Sequence, residues 1–185
     1  MFEIFKLYSG IFVILIPVVF VAFPYIFIHR HNRRLKVYSD LSKLKKTKML
    51  FKVAMFFTAI SQVVFSGLII EYAGANPATI LCFVSCFGTF GISIFNLGKY
   101  RKFHDYSSYI FFLGVLTSFF LNAFYFFDKN IGYFIVNEII FLIELSFIFM
   151  SIPKRSFINV EYAHSVLGSV WVISAYIFLI IPHLK

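Results

Sequence analysis

Residues Leu50–Tyr72 read LFKVAMFFTAISQVVFSGLIIEY. Between Lys52 and Glu71 the stretch carries no charge, and a membrane-crossing helix needs about 20 mainly apolar residues. Five more stretches of this kind flank it: Tyr8–His29, Ala78–Gly98, Ser107–Phe127, Gly132–Ile152 and Ala163–Pro182. Together the six take up about two thirds of the chain, so no soluble domain fits in the remainder. Composition says the same. Of 185 residues 61% are hydrophobic and 14% charged, and mean hydropathy is +0.88. A soluble domain has about a quarter charged residues, so a water-soluble globule and a disordered chain are both excluded. With only Cys82 and Cys86, so is a disulfide scaffold.

The expected fold is all-α: one integral membrane domain over residues 1–185, a polytopic bundle of six antiparallel transmembrane helices. Short connections make successive helices antiparallel neighbours. Asn76-Pro77 supplies a cap and a first-turn proline for the third span. Asp128-Lys129-Asn130 with Gly132 makes a polar turn, and Pro153 and Pro182 stop the fifth and sixth spans. Pro17 and Pro24 lie seven apart on one face of the first span, which should bend there. The N-terminal segment reads as a first span and not a signal peptide, because its positive charge follows the apolar run and no small-residue cleavage site is present.

Fourteen of the 17 Lys and Arg residues fall in the linkers between spans one and two, three and four, and five and six. Lys6, Lys129 and Lys185 fall on the other side. Positive residues in short loops stay cytoplasmic, so both termini should be on the non-cytoplasmic side. The net charge of +9 then describes one face and implies no nucleic-acid partner. In the first linker Leu35, Tyr38, Leu41 and Leu44 recur near helical spacing among Arg33, Arg34, Lys43, Lys45, Lys46 and Lys48. That pattern suits a short helix resting on anionic lipid headgroups; the plainer reading is that the charges set topology.

Polar residues within the spans point most directly to function, because placing them in hydrocarbon is costly. Glu144 lies near the middle of span five, where an ionised acid facing lipid costs about 2.5–3.5 kcal/mol, so it should face the bundle. Asn137, Glu144 and Ser151 form one stripe at seven-residue intervals. Span three carries Ser85, Thr89, Ser93 and Asn96; span four His104, Ser107, Ser118 and Asn122; span six Glu161 and His164. Either these residues line a polar cavity for a lipid or small amphiphile, or they are helix seams where small residues permit close approach. As a cavity, Glu144, Asn122, Asn137 and Asn96 would be its contacts between spans three to six, with His104, Glu161 and His164 at the cytoplasmic rim.

Asp105 beside His104, and Glu161 one turn before His164, would alternatively make an acid/base site. Haem would want histidine pairs within the helices, and the cysteines are too few for a zinc site; no cofactor or metal is expected. No G-x-S-x-G, H-E-x-x-H, P-loop or dinucleotide fingerprint occurs, which points away from an enzyme.

The order of features resembles the six-helix superfamily of DRAM, Frag and Sfk-type proteins and related bacterial six-helix domains of unknown function. The residues that carry the likeness are Tyr38-Ser39-Asp40-Leu41, the basic linker Lys99-Tyr100-Arg101-Lys102-Phe103-His104, the aromatic run Tyr109–Gly114, and Val160-Glu161-Tyr162 with Trp171. The resemblance implies a role in lipid organisation, trafficking or lipid-anchor remodelling, with His104 and Glu161 as the matching polar positions. The outer loop Gly74-Ala75-Asn76-Pro77 is shorter than in the eukaryotic members. The expectation is a non-enzymatic, multi-pass protein of a bacterial inner membrane or a eukaryotic membrane, with membrane lipids as its partners. Two other readings stand beside it. One is a small-solute transporter module of the kind that binds substrate for energy-coupling vitamin importers, although the first span lacks their Ala-x-x-x-Ala contact. The other is a lipid-remodelling enzyme using His104, Glu161 and His164.

Overall fold

The structure, a computed structural model, describes residues 2–31, 38–95, 97–151 and 158–184. Asn96, Arg33 and Arg34 lie outside the described residues. Those described contain helix and turn and no strand. The helices are α1 (Phe2–Pro17), α2 (Phe23–His31), α3 (Lys48–Ala73), α4 (Pro77–Ile94), α5 (Arg101–Phe126), α6 (Ile131–Ser151) and α7 (Ile158–Ala175). A π-turn, Val18–Ala22, joins α1 to α2, and another, Tyr176–Ile180, extends α7. Among the described residues six helical segments are long and apolar enough to cross a membrane: Ile4–His29, Lys48–Ala73, Pro77–Ile94, Arg101–Phe126, Ile131–Ser151 and Val160–His183.

Burial is inverted relative to a water-soluble protein. Ser9, Thr89 and Ser118 are fully enclosed while Phe27 and Phe124 stand about 70% and 68% exposed. Isolated exposed apolar residues are ordinary on any surface, but large contiguous apolar faces on every helix are not. Lipid is the solvent that such a surface suits.

Several helices begin earlier than hydropathy alone indicates. The fourth starts at Arg101, not Ser107, because Arg101 and Asp105 form an i, i+4 pair (3.6 Å) along its polar first turns. The third ends sooner, at Ile94, where Phe95 turns extended. Its start follows the expected cap. Asn76 Oδ1 accepts from the N–H groups of Ala78 (3.0 Å) and Thr79 (3.2 Å), and Asn76 N–H donates to Thr79 Oγ1 (3.0 Å).

The prolines act through the backbone groups they release. Both π-turns sit just before one: Phe23 N–H reaches back five residues to Val18 O ahead of Pro24, and Ile181 N–H to Tyr176 O ahead of Pro182. A proline has no N–H and crowds the carbonyl four residues earlier, so the chain widens locally. For Pro182 that carbonyl belongs to Phe178, and Asn130 Nδ2–H donates to it at 2.9 Å. Asn130 Oδ1 also accepts from Tyr133 N–H (3.0 Å) at the head of α6. Asn130→Asp keeps this cap but loses the donor to Phe178. Thermal unfolding in detergent should show a loss of about 1–3 kcal/mol for a buried acceptor left unpaired. In a Pro182→Ala background, where residue 182 regains its N–H, the loss should vanish.

The closest seam joins α4 and α5. Gly88 and Gly91 lie against Ser107 and Phe111, Gly114 lies against Ser85, and Ser118 Oγ–H donates to Ala78 O at 2.9 Å. These are the small-residue contacts expected of packed membrane helices.

The basic linker between α2 and α3 departs from the expected surface helix. Tyr38–Lys43 is a 3₁₀ turn whose Tyr38 and Leu41 are buried in a cluster with Val21, Tyr25, Phe51, Ala54 and Ile92. Its apolar side covers the end of the bundle and does not face lipid. Lys43, Lys45, Lys46 and Lys48 remain exposed.

Candidate functional site

A cavity of about 170 Å³ runs through the middle of the bundle. Its wall comes from α1 and the first π-turn, the Tyr38 turn, α3, α4, α5 and α7. The expected site lay between spans three to six; the observed cavity draws on spans one and two as well, and α6 contributes nothing to its wall. Hydropathy could not foresee this, because a cavity is a property of how helices are arranged.

The two ends of the cavity differ. Phe65, Phe119 and Trp171 close the deeper end, with Trp171 edge-on to Phe65 (5.8 Å between centroids) and tilted against Phe119 (5.6 Å). Tyr38, His104, Glu161 and His164 gather toward the other. Tyr38 N–H donates to Glu161 Oε2 at 2.6 Å, so the linker turn and the head of α7 are tied together here. The Tyr38 hydroxyl itself is buried without a partner among the described residues. Burial, then neighbouring Tyr162 and Glu161, push this phenol up to about 12, so it stays protonated at neutral pH.

His104 Nδ1 lies 2.8 Å from Phe95 O. A carbonyl only accepts, so Nδ1 carries the hydrogen, and in the neutral ring Nε2 is an acceptor. Asp105, expected to serve His104, faces outward and pairs with Arg101 instead.

His164 and Glu144 meet in the interior, with Nδ1 against Oε1. Glu144 is 1% exposed and its Oε2 has no partner among the described residues. Phe111 and Phe112 approach the His164 ring edge-on at 4.9 and 4.7 Å. The sequence pairing of Glu161 with His164, one turn apart, therefore does not form. Each takes a partner from elsewhere, Glu161 from the linker and His164 from α6, because helix packing turns the two side chains to different neighbours.

The expected stripe Asn137, Glu144 and Ser151 is buried throughout. Asn137 and Asn122 are both enclosed, but neither lines the cavity. Asn137 Nδ2–H donates to Tyr133 O (2.7 Å), and the Tyr133 hydroxyl faces Asn137 and Trp171. Among the described residues no group of three or more His, Cys, Asp or Glu side chains is placed to hold a metal ion. Cys82 and Cys86 are buried free thiols beside Ser66, whose Oγ is 3.7 and 3.5 Å from their sulfurs. Sequence reasoning missed Tyr38, Gln62 and Trp171 as cavity residues. The one sequence signal for any of them is the spacing of Tyr38, Leu41 and Leu44, which gives the basic linker an apolar side.

Compared with protein-family models, curated proteins and solved structures, the chain matches none.

Proposed function

We propose that this chain is a membrane protein whose six helices cross the bilayer as antiparallel neighbours, with both termini on the non-cytoplasmic side, and whose central cavity binds a small amphiphile. The polarity of the cavity carries this reading: aromatic at the Trp171 end, hydrogen-bonding at the Tyr38 and Glu161 end. Its size sets the scale. A cavity of about 150 Å³ holds one benzene-sized molecule, so about 170 Å³ suits a short-chain amphiphile and is too small for a whole diacyl lipid. The likeness to the six-helix superfamily, and its association with lipid handling, supports the same reading. The basic linkers support the orientation.

Trp171 is the only tryptophan and lines the cavity, so its emission reports on occupancy. A short-chain amphiphile added to the detergent-solubilised protein should shift that emission saturably, and native mass spectrometry should retain one copy. Gly168 lines the cavity with open space where a Cβ would project. Gly168→Leu should fill it and abolish the shift while leaving the unfolding temperature near wild type. An unresponsive Trp171 with every short amphiphile, together with no retained molecule, would reject the proposal.

The Glu144–His164 pair favours a second reading, a lipid-remodelling enzyme with His164 as base. The cavity hydroxyls of Ser108, Ser165 and Ser169 donate to carbonyls of their own helices at 3.0, 2.9 and 2.8 Å. None is hydrogen-bonded to His164, the contact an activated nucleophile needs. Binding is the better-supported reading.

A further inference from the structure

We propose that the cavity selects a protonated amine as the head group of its ligand, so that the molecule it takes is a small cationic amphiphile. This rests on the reading of the cavity as an amphiphile site and specifies which chemistry fills its polar end.

Among the described residues the wall contains no Lys or Arg, although the linkers at this end are rich in them. Lys43, whose ammonium is exposed, is paired with Asp40, and Lys52 donates to Ile94 O at 3.1 Å. Glu161 faces the cavity, and Tyr38 N–H on Oε2 is its one hydrogen bond among the described residues. No cation among the described residues pairs with it. A carboxyl group at a helix head inside a membrane bundle is stabilised as the carboxylate by a counter-charge, and none of the described residues supplies one.

The neutral groups around Glu161 are biased the same way. The Tyr38 hydroxyl, at this end, is buried without a partner among the described residues. His104 directs its only bound hydrogen to Phe95, leaving Nε2 as an acceptor. His164 is turned to Glu144 through Nδ1. An ammonium has three donors and no acceptor, and Glu161, His104 Nε2 and the Tyr38 oxygen are acceptors it could reach at this end. The rings of Tyr38, Phe111 and Phe112 add faces and edges at this end, and a desolvated cation gains from an aromatic face. A phosphate or carboxylate head would instead meet Glu161 with like charge and find no fixed cation to receive it.

The test uses three probes of equal chain length on the full chain in neutral detergent at pH 7: hexylamine, hexanol and hexanoate, each read by Trp171 emission. Hexylamine should half-saturate the shift at a concentration about tenfold below hexanol, and hexanoate should bind more weakly than either. In Glu161→Gln the amine preference over hexanol should fall to about one while hexanol binding stays as in wild type, a change that a merely structural role for Glu161 would not produce. Equal binding of hexylamine and hexanol by the wild-type protein would overturn the amine assignment and leave the amphiphile site standing. Failure of all three to move Trp171 would overturn both.

Discussion

Gly88→Ala should lower the stability of the bundle by about 1–3 kcal/mol, and Gly88→Val by more, read as thermal unfolding in detergent. A Cβ at Gly88 would sit 2.5 Å from Phe111 N and 2.6 Å from Ser107 O. These are backbone atoms of α5, so no side-chain rotation relieves the clash and the two helices must separate. Separation weakens the neighbouring contacts too, since Gly114 meets Ser85 with the same intimacy and Ser118 bonds to Ala78 across the seam. It should also open the cavity, because α4 supplies Cys82, Ser85 and Cys86 to its wall and α5 supplies Phe111, Phe112 and Phe119. Gly67 is the control: a Cβ there meets nothing within 4 Å. Gly67→Ala should be neutral or stabilise by up to about 1 kcal/mol through helix propensity. Equal stability of the Gly88 and Gly67 variants would show that α4 and α5 do not pack this closely.

The second large effect is expected at the Glu144–His164 pair. Two forces compete when Glu144 becomes leucine. Removing an acid from the middle of a span recovers some insertion free energy, about 2.5–3.5 kcal/mol if the group was ionised and faced lipid. Here it faces the interior and bonds to His164, so little of that gain applies. Taking one partner from a buried pair costs about 3–5 kcal/mol because the other is left uncompensated. Glu144→Leu should therefore destabilise, and so should His164→Phe. The double variant should lose less than the two single losses added together. Strictly additive losses would mean that the two side chains do not interact. Glu144→Gln, which retains a hydrogen-bonding group of the same size, should lie between wild type and Glu144→Leu.

How much was legible beforehand can be judged residue by residue. Glu144 stands out in the sequence because charge in an apolar run needs a reason, and its inward orientation follows from the cost of the alternative. Asn76-Pro77 announces a helix start through local hydrogen bonding alone, and the structure has that cap. Tyr38 misleads, because amphipathic spacing shows that a segment has an apolar side without telling lipid from protein as the surface it covers. Asn122 and Asn137 turn inward, as polarity within a span implies, but do not line the cavity. Polarity inside a span marks a buried face, and buried faces include seams that hold no cavity.

Hydropathy and the positions of charge, prolines and caps are properties of single helices, so the sequence by itself determined the six apolar segments, their interruptions and the polar residues that must turn inward. Which inward residues meet depended on the rotation, depth and crossing of helices distant in the chain. Tertiary packing alone brought Glu144 to His164, Glu161 to Tyr38, and Asn130 to the carbonyl that Pro182 releases. These contacts join residues 20, 123 and 48 positions apart, a range over which no helical or strand period constrains the pairing.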